Sequence, residues 1–130
     1  MDHAQDLAMT GNFGHNGSDG SDLTTRIKRR CGTRGTGLLA ENIGSDFIVK
    51  GRDHALQTVL GLIIDDGVPS RGHRENIFNS QVNFIGICSK VQGDKMITVM
   101  NFHSQDLGLK NSSECKDKDF GTEIKYQEKT

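Results

Sequence analysis

Residues able to do chemistry concentrate in four short segments. They are Gly14-His15-Asn16-Gly17-Ser18-Asp19-Gly20, Ala40-Glu41-Asn42-Ile43, Ile64-Asp65-Asp66-Gly67 and the run from Pro69 through Arg71, His73 and Arg74 to Phe78. His15 stands among glycines, which let a backbone approach a ligand closely. His73 falls in the first turn of an expected helix, where the positive end of the helix dipole disfavours imidazolium. A neutral imidazole is the form that binds metal or accepts a proton. Two such histidines with Glu41 and the Asp65/Asp66 pair would make a zinc site. The carboxylates would act there as ligands, as orienters of ligands or as general bases. Spacing alone does not assign a shared site, because His, Glu and Asp scattered this widely are common. Arg71 and Arg74, close to Asp65, Asp66 and Glu75, are expected to form ion pairs that fix the loop.

Other motifs fall away on inspection. Lys28-Arg29-Arg30 with Arg34 forms a basic cluster, but no aromatic residue interleaves it, so it reads as a solvated helix face. Lys and Arg number 16 against 17 Asp and Glu, a formal net charge of -1. That balance argues against a general binder of nucleic acid or anionic membrane. A calcium loop starting at His15 would put Arg26 where a bidentate Glu is required. Gly32-Thr33-Arg34-Gly35-Thr36-Gly37 lacks the Gly-Lys-Ser/Thr ending of a phosphate loop. Asn16-Gly17-Ser18 and Asn111-Ser112-Ser113 fit the glycosylation sequon, which matters only in a secreted protein. Cys31, Cys88 and Cys115 make an odd set, so at least one is unpaired or bridges to another chain. His3, His54 and His103 read as surface or packing residues.

The elements that must position these residues follow from periodicity. The chain has 130 residues, enough for one domain, and 33% are hydrophobic, which sets a thin core. Residues 2–10 read as a helix with Ala4, Leu7 and Ala8 on its apolar face, followed by a Gly-rich loop over 11–20. Ser21 is placed to cap a helix running to about Cys31. Residues 52–65 give the clearest helix, with Ala55, Leu56, Val59, Leu60 and Ile63 as the expected buried stripe. Ser70 is placed to cap a short helix through Phe78. Residues 84–91 and 95–102 read as strands of a hairpin turning at Gln92-Gly93-Asp94. Apolar residues occupy both faces of each strand, so a layer is expected on either side. No apolar run approaches the roughly 20 residues that span a bilayer. The opening residues show neither a basic nor a long apolar region of a signal peptide. Beyond residue 103 the pattern fails, and 104–130 reads as a polar tail or wrap.

In combination the motifs resemble the CAP superfamily of cysteine-rich secretory, antigen 5 and pathogenesis-related 1 domains, in a bacterial- or protist-like form. Asp65-Asp66-Gly67-Val68-Pro69-Ser70-Arg71-Gly72-His73-Arg74, then Asn76-Ile77-Phe78, is similar to its Gly-His-Arg signature. His15-x-Gly17-Ser18-Asp19-Gly20 with Arg26 resembles its histidine loop. Glu41-Asn42-Ile43 resembles its Gly-Glu-Asn-Ile motif, with Ala40 in place of Gly. The resemblance covers roughly residues 3–103, with the first helix of a complete domain missing or shortened. It implies an α+β fold, a three-layer α-β-α sandwich around a central antiparallel sheet. It also implies a cleft holding His15, His73, Glu41 and a second acid. That acid is best matched by Asp65, with Asp66 adjacent and aspartate standing where glutamate is more familiar. Ligands implied are a divalent cation at the two histidines, often Zn2+, a lipid or sterol, and a protein partner. The location implied is extracellular. No accepted reaction goes with the fold. A metal-dependent hydrolase using Glu41 to activate water, and an interaction domain with a vestigial cleft, are the alternatives.

Overall fold

The computed structural model describes residues 3–31 and 37–105. Its elements are α1 (His3–Thr10), α2 (Leu23–Cys31), β1 (Leu39–Phe47), α3 (His54–Ile64), α4 (Gly72–Ile77), β2 (Phe84–Gln92) and β3 (Lys95–His103). The strands form an antiparallel sheet in the order β1-β3-β2. Helices with a three-stranded antiparallel sheet make this an α+β fold, the class expected from the sequence. The β2–β3 hairpin closes through Gly93-Asp94, with Gly93 at φ 59°. Short hairpin turns require that left-handed conformation, which glycine adopts without strain. Strand β1 is an addition to the expected elements. Its sequence, LAENIGSDF, shows no regular alternation of apolar and polar residues. Nine consecutive pairings with β3, from Leu39 opposite His103 to Phe47 opposite Lys95, hold it in place.

Two clusters form the core. Ala4, Leu7 and Ala8 of α1 pack with Ile43, Ile97 and Val99, and Cys88 lies against them. Leu62 of α3 packs with Met100 and Phe102, joined by Ala40, Ile77 and Val82. Successive strand residues point to opposite faces. Ile97 and Val99 therefore meet α1 on one face, and Met100 and Phe102 meet α3 on the other.

Two burial expectations are corrected. Helix α3 buries Thr58 and Leu62, while Ala55, Leu56, Val59 and Leu60 of the predicted stripe are exposed. The cause lies in β1: a Cβ on Gly44 would stand 3.0 Å from Thr58 Cγ2. The missing side chain lets the helix settle on the strand by its Thr58 side. Strand β2 was expected to be covered on both faces, yet Phe84, Ile85, Ile87 and Val91 are exposed. It is a sheet edge, and β3, in the middle, takes the cover instead. The side chain of Cys31, together with Arg34, Cys115 and the predicted tail from residue 106 onward, lies outside the described residues.

Helix starts also differ from expectation. Asp22, not Ser21, caps α2 by accepting from the Thr25 N–H at 2.7 Å. Asp53 caps α3 through the Leu56 N–H. Helix α4 begins after Arg71, which sits at φ 52° and makes no side-chain cap bond, so Ser70 is not its cap. The first amides of a helix need acceptors. Here the carboxylate of Asp65, eight residues earlier, accepts from the N–H groups of His73 and Arg74.

Candidate functional site

Helix α1 builds the first half of the site. His3 and Asp6 lie one turn apart and face the 11–20 loop, while Ala4, Leu7 and Ala8 face the sheet. His3 Nε2 donates to the Gly14 carbonyl at 2.9 Å. Asp6 accepts from the backbone N–H and the hydroxyl of Ser18, and these two bonds hold its carboxyl below the usual aspartate value. The loop, fixed at both ends, delivers His15 to Glu41 on β1. His15 Nδ1 stands 2.9 Å from Glu41 Oε1, and Arg26 of α2 reaches Glu41 Oε2 at 2.8 Å. Arg26 also donates to the carbonyls of His15 and Ser21. The Glu41 side chain is 2% exposed and that of His15 61%. A buried carboxylate thus anchors a histidine that projects into solvent.

The turn from α3 to α4 builds the second half. Asp65 closes α3 at φ 54°, a left-handed conformation that aspartate tolerates better than most residues. Its Oδ1 meets His73 Nδ1 at 2.7 Å. Burial opposes the charge on Asp65, but hydrogen bonds from His73 and Arg74 outweigh it and keep the carboxyl below its usual value. Asp66 is exposed and its Oδ1 accepts from the Gly67 N–H, so the structure does not bring it to His73. Arg71 and Arg74 hold the turn by a route other than the expected ion pairs. Arg71 donates to the carbonyls of Ile64 and Asp65, and Arg74 to those of Ile63 and Ile64. These are the terminal carbonyls of α3, where a cation is favoured. Asn42, next to Glu41 on β1, donates to the His73 carbonyl at 2.9 Å and accepts from Asn76 at 2.8 Å. Both histidine segments are therefore tied to adjacent residues of one edge strand.

The tautomers follow from the partners. A carboxylate only accepts hydrogen bonds, so Nδ1 of His15 and of His73 carries a proton, and in the neutral ring the lone pair is on Nε2. Among the described residues neither Nε2 has a partner. His54 makes a third such pair with Asp46 at 3.0 Å, but its Nε2 is occupied by the Val49 backbone, 3.1 Å from the N–H nitrogen and 3.2 Å from the carbonyl oxygen. That pair is closed and joins the end of β1 to the start of α3. Among the described residues no group of three or more His, Cys, Asp or Glu side chains is arranged to hold a metal ion by itself; His3 Nε2 comes only to 3.9 Å from Glu41 Oε1. Sequence reasoning passed over His3, Asn42 and the grip of Arg26 on Glu41. The only signal for His3 was its three-residue spacing from Asp6. Asn42 stood in the Glu41-Asn42-Ile43 motif, but nothing there assigned it the His73 carbonyl and Asn76 as partners.

An α+β domain that ties two histidine–carboxylate pairs to one edge strand is the class these features define. A family model described as the cysteine-rich secretory protein family, CAP, matches residues 1–102, and the chain belongs to that family. Comparison with curated proteins and with solved structures gave no match. No helix among the described residues is long and apolar enough to cross a membrane.

Proposed function

We propose that the chain is a secreted, non-catalytic binding domain that holds a divalent cation, with zinc the best fit, through Nε2 of His15 and His73. One observation carries this reading. Each imidazole has its Nδ1–H fixed by a buried carboxylate and its Nε2 open, the arrangement by which a carboxylate behind the ring orients a zinc-bound histidine. The remaining positions around the ion would be filled by water or by the captured ligand. Bound there, zinc would supply a Lewis acid able to grip an oxygen or nitrogen donor. Glu41 and Asp65 set ring orientation and proton position. Family membership supports an extracellular setting.

The hydrolase alternative needs Glu41 to take a proton from water. Both of its oxygens are already engaged, by His15 and Arg26, which speaks for positioning over proton transfer. Calorimetric zinc titration of the chain and of a His15→Ala/His73→Ala double variant tests the proposal. The expected result is stoichiometric binding, absent in the double variant, and weakened about 10–100-fold in Asp65→Asn. Unchanged binding in the double variant would remove these histidines from the site. Peptide or ester turnover that chelation and Glu41→Gln both abolish would favour the hydrolase.

A further inference from the structure

Helix α3 and strand β2 share an uncovered apolar face. From His54 to Ile64 the helix contains no Lys, Arg, Asp or Glu. Its sheet side is Thr58 and Leu62, and round its outer side Leu56, Leu60 and Ile64 form an exposed ridge spaced by four. Next to Val59 opens a groove of about 310 Å³, lined by Ile77, Val82, Ile85, Ile87, Met100 and Phe102. A helix apolar nearly all round is normally buried, and a contiguous apolar patch marks an interaction surface. Strand β2 adds to the patch. It is an edge strand, paired with β3 without a bulge, and Lys90 is its one charged residue. It lacks most of the devices by which proteins blunt an exposed edge.

We infer that this face is covered by a second copy of the chain, with the α3 ridge of each protomer seated in the groove of the other about a two-fold axis. A two-fold interface uses one surface patch on both subunits, so ridge and groove must lie on the same face. Here they are adjacent. The axis also brings groups near their own copies, where like charges repel, and the ridge has none. The flanks are complementary. An antiparallel crossing directs exposed Lys50, before α3, toward exposed Asp66 after α3 of the second copy, while Arg52 is paired with Asp46 of its own chain. Asp53, at the same end as the cations, is engaged in capping the Leu56 N–H.

Leu60, the midpoint of the ridge, lies nearest the axis and faces solvent in the single chain. Leu60→Lys and Leu60→Glu therefore test the interface with little effect on the fold, which circular dichroism checks. The mass of the full chain is measured by light scattering from about 1 to 100 μM, the range in which micromolar association is seen. Melting temperature is followed over the same range. The expected result is a discrete dimer that dissociates on dilution, with a melting temperature that rises with concentration. Each variant alone is expected to be monomeric with wild-type dichroism, and an equimolar mixture of the two to regain the dimer. A monomer at every concentration would overturn the inference, as would a dimer that survives both substitutions. A monomer carrying an extractable acyl lipid that Leu60→Lys releases would assign the groove to lipid and overturn it as well.

Discussion

Asp6 accepts both of its hydrogen bonds from Ser18, and its carboxyl is held below the usual value by them. An unfolded aspartate titrates near about 3.9. A carboxyl lowered in the fold contributes stability that is fully present above that pH and is lost as pH falls through the folded value. Wild type and Asp6→Asn should therefore differ in urea midpoint by a constant amount from neutral pH down to about 5, and converge in more acid solution. A gap that stays constant to the acid limit would mean that the Ser18 bonds do not depend on the charge. The same residue-scale reasoning distinguishes the three histidine–carboxylate pairs. All three fix a proton on Nδ1, and only the surroundings of Nε2 separate the open pairs of His15 and His73 from the closed pair of His54.

Between elements, the contact of α3 with β1 rests on the absence of a side chain at Gly44. Gly44→Val should push Thr58 and the helix away from the strand and destabilise the fold by about 1–3 kcal/mol, read as a lowered denaturant midpoint. No change would mean that the packing has slack. This contact also explains what could be read in advance and what could not. Helix α1, the 11–20 loop and the hairpin were legible because each is coded locally, by an apolar face, a run of glycines and a turn at Gly93-Asp94. Strand β1 was not, because what makes it a strand is the partner 56 residues on that pairs Ile43 with Val99. The stripe on α3 was read with the right period and the wrong face. Periodicity shows that an apolar face exists, and when nearly every side is apolar it does not choose the one that meets the sheet. The site was legible as residue types, since His15, Glu41, Asp65 and His73 all stand out. Their pairing depended on Arg26, Asn42 and the capping of α4 by Asp65, which no local pattern encodes.

Across the whole molecule, the two core clusters share a single strand. β3 gives Ile97 and Val99 to one and Met100 and Phe102 to the other, and it supplies the only described partner of both β1 and β2. A chain ending at Asp94 should therefore show no cooperative thermal transition, whereas one ending at Gln105 should melt cooperatively. A sharp transition in the shorter chain would show that helices and edge strands hold together without the centre. The middle strand of the sheet is also the last of the seven described elements to be translated. During synthesis β1 and the apolar β2 emerge from the ribosome with nothing to pair against, and they stay open until residue 103 is free. Closure of the sheet therefore waits for β3, which ties both edge strands together.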